Sequence, residues 1–435
     1  IPVLGLYPNY NNQITLIYTD LQGNERARSN LKLQTKTLES RRLPKEIRVV
    51  KAQYDRMEPG MNLVNSPGQD ETDTSIPYMI DADGEIRWIL DWEKSDEHRY
   101  IGIGCGLIRM QNGHYMTGDG NHHRMVEVDM MGNTIHNWDM LERGYTMHHA
   151  ISQDKQGNIL ATVSKTSAKI ANGKDVRIND FIIMMDPEKG EILQEWDLVH
   201  MLDSARYGMT DYDLTSDPFA QSASNWAHNN GIVEWGDDYL ATARYQGIFK
   251  FNKAGGIEWI ISPHGYWRDK YLKPLHADGT PITDPEVIAG TKNCDDFEWP
   301  WGCHTAVPLP NGHIFYFNNG YGRNFKLDFT DRKNIYTCGI EYEVDEVNRT
   351  VRQVWQYGKE RGAAYFTPAR SGVQYLEQTG NRLICPGMSN VLSNGNRGAR
   401  VTEVDPETQE VVFELELEDA IYQRVYRMSL YPENQ

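Results

Sequence analysis

The chain has 435 residues, 44 Lys+Arg against 61 Asp+Glu, a formal net charge of −17 and a mean hydropathy of −0.63. The acidic balance excludes the basic footprint that nucleic acid or an anionic membrane requires. No apolar run approaches the roughly 18 residues needed to cross a bilayer, and 39% apolar with 24% charged residues is the composition of a folded chain, not a disordered one.

The sequence starts at Ile1 without an initiator Met, which fits a processed leader and an exported, periplasmic or secreted protein. Residues 1–70 hold strand-like runs at 13–20 and 46–51 with a turn at Gln22-Gly23-Asn24. They predict a small N-terminal β domain whose free edge could serve dimerisation. Residues 65–75, rich in Ser, Asp and Thr and containing Pro67-Gly68, read as the linker to the remainder, 71–435.

From about residue 78 onward, short β-branched or aromatic runs are broken by two recurring turns. The first carries a glycine, as in Gln111-Asn112-Gly113, Gln156-Gly157-Asn158, Pro310-Asn311-Gly312 and Thr379-Gly380-Asn381. The second starts at Asp129, Asp186, Lys253 or Asp405 and leads into a strand that often ends in Trp, at Trp138, Trp196, Trp259 and Trp355. A unit of four antiparallel strands with these turns is a propeller blade. Five units are complete. A sixth assembles from an outer hairpin at 78–88 and an inner strand at 422–431, so the chain is expected to be all-β, a six-bladed β-propeller closed by strands from both ends. Asp81-Ala-Asp83-Gly84 lacks the later bidentate Glu of a calcium loop and reads as a hairpin turn.

Eight positions before each first-turn glycine stand Cys105, His149, His228, His304 and Gly372. Residues at one phase of a propeller form a ring about its axis, so the three histidines are expected to converge at one mouth of the channel. Three readings stand at this point: a ligand-binding ring, a zinc site with three His ligands, or three histidines each bonded to a neighbouring blade. No carboxylate is adjacent to them for a hydrolytic metal, whereas Arg244, 16 residues past His228 on the same hairpin, would repel a metal and attract an oxyanion. Of the five cysteines, Cys294 and Cys303 share one loop-like segment and are expected to pair, with Cys105, Cys338 and Cys385 as buried thiols.

These residues resemble the bacterial arylsulfate sulfotransferase family that does without phosphoadenosine phosphosulfate. The likeness runs from Gly5-Leu-Tyr-Pro-Asn9 through Trp226-Ala-His228-Asn-Asn230 and Arg244 to Cys303-His304 and 309–320. It implies a six-bladed, exported homodimer that passes a sulfuryl group from an aryl sulfate donor to a phenolic acceptor by a ping-pong route, with no cofactor. His304 would be the nucleophile that becomes a sulfohistidine. His149, His228, Asn230 and Arg244 would hold the sulfate oxygens, and Thr367, Tyr422 and Tyr426 would face the same cavity. The resemblance also implies a Cys294–Cys303 disulfide and a thiol oxidase as maturation partner. Two features depart from the family pattern: the longer interval between these cysteines, and Tyr245 where a His is common after the arginine. A metal-dependent hydrolase or lyase using the three His, and a non-catalytic anion-binding propeller, are the competing readings.

Overall fold

The computed structural model describes residues 2–68, 73–102, 105–165, 180–202, 217, 219, 227–264, 270–327 and 330–432. Trp226 of the histidine motif and residues 69–72 of the expected linker lie outside them. A two-stranded ribbon, β1 (Asn11–Thr19) with β2 (Glu25–Gln34), precedes everything else. Next come β3 (Glu46–Ala52), β4 (Met61–Ser66), β5 (Ile76–Ile80) and β6 (Ile86–Ile89). Three four-stranded meanders follow. They are β7 (Leu107–Arg109), β8 (Tyr115–Asp119), β9 (Arg124–Val128) and β10 (Thr134–Asp139); β11 (Tyr145–Gln153), β12 (Ile159–Lys165), β13 (Asp180–Met185) and β14 (Ile192–Asp197); and β15 (Asn229–Trp235), β16 (Asp238–Ala243), β17 (Gly247–Phe251) and β18 (Ile257–Ile261).

An edge strand β19 (Lys273–Leu275) leads to the fifth meander, β20 (His304–Pro308), β21 (Ile314–Asn318), β22 (Cys338–Asp345) and β23 (Thr350–Tyr357), and pairs in parallel with β23. The sixth contains β24 (Gly372–Tyr375), β25 (Arg382–Cys385), the short β26 (Asn390–Val391), β27 (Arg397–Val404) and β28 (Val411–Glu418). The last strand, β29 (Arg424–Met428), pairs with β4 in a sheet ordered β29-β4-β5-β6. Both chain ends thus build one blade, as the repeat requires, and six blades stand around an axis lined by the innermost strands. That closing blade, β29-β4-β5-β6, is numbered 1, and the others follow in chain order.

The repeat has a physical cause in its turns and tryptophans. At the second turn Asp129 Oδ1 accepts N–H bonds from Met131 (2.8 Å) and Asn133 (2.9 Å), an Asx turn that Asp186, Asn252 and Asp405 repeat in their own blades. In blades 1 to 4 the indole N–H at the end of the blade then donates to that turn of the next blade. Trp88 reaches Met130 O (2.9 Å), Trp138 reaches Pro187 O (3.1 Å), Trp196 reaches Lys253 O (3.0 Å) and Trp259 reaches Glu346 Oε1 (2.7 Å). Turn and tryptophan therefore recur together because each latches the other across a blade boundary.

One expectation is corrected. The run at 46–51, grouped above with the N-terminal module, is β3, and β3 pairs with β28 as the outermost strand of blade 6. Residues 61–66, partly assigned to the linker, are β4, the second strand of the closing blade. Strand patterning is local, whereas the partners that claim these strands lie more than 350 residues away, at Glu418 opposite Glu46 and Met428 opposite Met61. The Asp81 turn is a hairpin turn, its carboxylate accepting from the Asp83 and Glu85 amides (3.0 and 2.9 Å).

Candidate active site

The innermost strands of blades 3, 4 and 5 each break register where a histidine stands. In blade 5, His304 pairs with Phe317 and Thr305 is bulged before Ala306 resumes the ladder; in blade 4, Asn229 pairs with Ala243 and Asn230 is bulged before Gly231. In blade 3 the ladder lapses from Met147 to Ile151. There the Thr162 hydroxyl donates to His148 O (2.5 Å) and accepts from Ala150 N (3.0 Å). The common phase read from the sequence is therefore shared only approximately, because Asn229, not His228, occupies the rung of His304. The blade 4 hairpin closes around two residues after Trp235, while those of blades 3 and 5 close around three.

The backbone is left-handed at the bulged Thr305 (φ 45°), at His149 in the lapsed ladder of blade 3 (φ 51°), at His228 just before β15 (φ 54°) and at Arg370 (φ 63°). Side-chain-bearing residues held in this region cost about 1–3 kcal/mol each and cluster where geometry serves chemistry. The rings of His149 and His228 meet edge to face with centroids 4.5 Å apart. The Arg244 amide donates to His228 O at 2.9 Å, so the arginine starts beside that ring.

His304 is buried, and its Nδ1 lies 2.6 Å from Asn319 Oδ1 and 3.2 Å from Gly302 O. The Asn319 amide cannot be turned round, because its Nδ2 donates to the carbonyls of Thr367 (3.0 Å) and Arg370 (3.3 Å). Both atoms facing Nδ1 are acceptors, so Nδ1 carries the proton and Nε2 is the bare, lone-pair nitrogen. Burial, and then the charge of Arg244, push the His304 pKa down to about 3. His149 and His228 are lowered well below the ordinary value by burial first and then by neighbouring histidines and Arg244. All three imidazoles are neutral at pH 7.

Positive charge at the site therefore comes from arginine. Arg244 Nη2 donates to Pro368 O (2.7 Å), and its guanidinium is wrapped by the rings of Tyr321 (4.4 Å), Phe219 (4.6 Å) and Tyr245 (5.8 Å). Asp217 accepts from both tyrosine hydroxyls, Tyr245 at 2.7 Å and Tyr321 at 3.0 Å. Among the described residues, buried Nε of Arg244, Nη1 of Arg370 and Nε of Arg424 have no hydrogen-bond partner. Gly372, the fifth position of the sequence ring, makes room for one of them: a Cβ there would meet Arg424 Cγ at 3.1 Å and Thr305 Oγ1 at 3.2 Å.

Blade 3 adds a second imidazole. His148 Nδ1 lies 3.0 Å from His149 Nδ1, and His148 Nε2 is 3.2 Å from Asp180 Oδ1, an ion-pair distance off the hydrogen-bonding axis. The carboxylate favours a proton on His148 Nε2, which leaves its Nδ1 to accept from His149 Nδ1–H and His149 Nε2 bare.

The other sequence candidates fall in different places. The Asn230 side chain is engaged between blades: its Nδ2 donates to Cys303 O (2.9 Å) and its Oδ1 accepts from Thr242 Oγ1 (2.8 Å), tying blade 4 to the strand that carries His304. Thr367 stands behind the nucleophile, with its carbonyl holding Asn319 and its hydroxyl donating to Ala369 O (3.2 Å). Tyr426 lies on innermost β29, 4.6 Å from the Arg424 guanidinium. Tyr422 does not face the cavity; it is fully buried in the core shared by blades 1 and 6, and its hydroxyl donates to Arg400 O.

The expected disulfide is also absent. All five cysteines are among the described residues and all are free. Cys303 is buried in the blade 4–5 core with Sγ 3.9 Å from Ala243 O and its pKa pushed up to about 12 by burial, whereas the Cys294 thiol donates to Asp296 Oδ1 at 3.1 Å. Nor do the three ring histidines form a ligand set. Among the described residues, the His, Cys, Asp and Glu atoms gathered within 4.8 Å of one another are those of His276, Cys294 and Asp296. Arg370, Arg424, Asn319 and the His148–Asp180 pair escaped the sequence reading. A repeat phase finds only residues on the innermost strands, and apart from His148 and Arg424 these sit in connections or, for Asp180, on a third strand.

Comparison with known proteins follows the same lines. A family model described as Arylsulfotransferase (ASST) matches residues 46–427, starting at β3, and one described as Arylsulfotransferase Ig-like domain matches residues 1–36. Two curated relatives are both named arylsulfate sulfotransferase AssT. The one from Escherichia coli O6:H1 is 29% identical over 393 residues, covering 81% of this chain and 64% of its own length. The one from Lelliottia amnigena is 26% identical over 506 residues, covering 99% and 83%. This chain thus spans less than two thirds of the length of the Escherichia coli relative. Among solved structures, a protein of unknown function from Bacteroides caccae is 12% identical with a TM-score of 0.48, covering 84% of this chain and 98% of that one.

Proposed function

The chain belongs to the arylsulfotransferase family, and from that premise we propose that it moves a sulfuryl group from an aryl sulfate ester to a phenol through a sulfohistidine at His304. The observation that carries this reading is the His304–Asn319 contact at 2.6 Å, which leaves a neutral imidazole with a bare Nε2 among buried arginines. A neutral imidazole is a nucleophile, and an aryl sulfate is a monoanion that gains from fixed guanidinium charge at the sulfuryl oxygens.

In the first half-reaction, the Nε2 lone pair forms the N–S bond as the S–O bond to the aryl group breaks, and that electron pair leaves with the phenolate oxygen. Arg244 and Arg370, the two arginines whose charges act on His304, offset the charge that builds on the oxygens. Tyr321, Phe219 and Tyr245 supply the aromatic surface on which an aryl leaving group would stack. In the second half-reaction, His149 Nε2 takes the proton of the acceptor phenol, with His148 and Asp180 behind it. The phenolate oxygen then forms the new O–S bond as N–S breaks and His304 is restored. A three-histidine metal mechanism is disfavoured because their nitrogens do not gather as a coordination set.

Initial rates with the aryl sulfate varied at several fixed phenol concentrations test this reading. Parallel double-reciprocal lines, with transfer abolished in His304→Ala, are expected; intersecting lines would point to a ternary complex and remove the covalent intermediate.

A further inference from the structure

The segment between blades 4 and 5 contains a second cluster, far from the ring. It lies beside β19, the outer edge of the sheet whose inner edge, β20, carries His304. His276 immediately follows β19. Its Nδ1 is 2.9 Å from Asp296 Oδ1, Cys294 Sγ is 3.1 Å from the same oxygen, and Cys294 Sγ is 4.0 Å from His276 Nδ1. One nitrogen, one sulfur and one oxygen donor therefore form a triangle.

We propose that His276, Cys294 and Asp296 form a structural site for a divalent cation of the zinc type. Tetrahedral zinc, with Zn–N and Zn–O near 2.0–2.1 Å and Zn–S near 2.3 Å, sets ligand atoms about 3.3–3.6 Å apart, and the three observed edges bracket that range. A borderline-soft ion suits a mixed thiolate, imidazole and carboxylate set, which neither calcium nor magnesium would choose. Asp296 is already oriented from behind, because Ala277 N donates to its second oxygen at 2.9 Å. His276 and Asp296 are 39% and 36% exposed, so an ion can enter and water can fill the fourth position.

Binding replaces two hydrogen bonds to Asp296. The Cys294 thiol proton leaves to solvent, and the His276 proton moves from Nδ1 to Nε2, freeing Nδ1 to coordinate. The ion then pins the turn after β19 to the stretch 294–303 that leads into His304. It is a staple for the blade 5 insertion and takes no part in sulfuryl transfer.

The test uses the full chain prepared metal-free and titrated with Co²⁺, then Zn²⁺. One equivalent of Co²⁺ giving a thiolate-to-cobalt charge-transfer band, displaced by one equivalent of Zn²⁺ with a rise in Tm, is expected. Cys294→Ser should abolish the band, and His276→Gln should weaken uptake at least tenfold with an unchanged far-ultraviolet circular dichroism spectrum. If Cys294→Ser does not fold, Asp296→Asn supplies the second comparison and should also weaken uptake. No charge-transfer band in the parent protein, a band surviving in Cys294→Ser, or equal uptake by parent and variants would overturn the proposal.

Discussion

Asn319 fixes which nitrogen of His304 carries the proton: Oδ1 lies 2.6 Å from Nδ1, while the two carbonyls of Thr367 and Arg370 hold the amide from behind. The tautomer is therefore set by three loop carbonyls and one amide before any substrate arrives.

Asn319→Ala should lower the donor half-reaction by roughly 10- to 100-fold, the usual scale for losing an orienting partner, with little change in KM. Asn319→Asp restores an acceptor but adds a negative charge that raises the His304 pKa. It should bring an acid limb into the pH–rate profile, read from single-turnover release of phenol. A parent-like profile in both variants would remove the positioning role.

Arg370, with a buried Nη1 lacking a partner, is expected to bind a sulfuryl oxygen as the reaction proceeds. Arg370→Ala should reduce turnover by about 10²- to 10³-fold, the cost of removing one such donor, and added guanidinium should restore part of it. Loss through KM alone would place Arg370 in ground-state binding.

A substitution at Asp180 should separate the two proposed half-reactions. Asp180→Asn keeps an oxygen for the Asn229 amide, which its carboxylate accepts at 2.9 Å, but removes the charge behind His148. The burst of phenol from the donor should persist, while the acceptor-dependent rate should fall by roughly 10²-fold, the lower range for general-base catalysis. An equal loss in both halves would remove His149 as the base.

The depressed histidine pKa values make two statements about pH. His304, at about 3, stays neutral in weak acid, so kcat/KM for the donor should show no protonation limb near pH 6.5 while the protein remains folded. Stability behaves otherwise. Between the unfolded-state value near 6.5 and the lower folded values, the unfolded chain binds protons that the native chain refuses, so stability is complete above about pH 6.5 and falls as pH drops. Each buried neutral histidine contributes a slope of up to about 1.4 kcal/mol per pH unit. Denaturant melts from pH 7.5 to 4.5 measure it, and a flat profile would contradict the burial.

Much of this was legible because the propeller writes its contacts into its repeat. Asx turns and terminal tryptophans bond each other across blade boundaries, so Trp138 and Asp186 mark the blades in the sequence as they do in space. The meeting of His149 and His228 followed from the same periodicity. What stayed hidden lacks a local signature. β3 looks like any short strand until β28 claims it. Tyr422 shares the aromatic chemistry of a cavity residue but fills a core. Arg370 shows itself only when a left-handed backbone turns it inward. Cys294 and Cys303, nine residues apart, are separated by the core into which Cys303 is packed.

Mass spectrometry of the protein incubated with an aryl sulfate and no acceptor tests the central claim most directly. The account predicts a mass gain of one SO₃ on the peptide containing His304, lost on adding a phenol and absent in His304→Ala. Efficient transfer with no adduct, or an adduct on another residue, would contradict it.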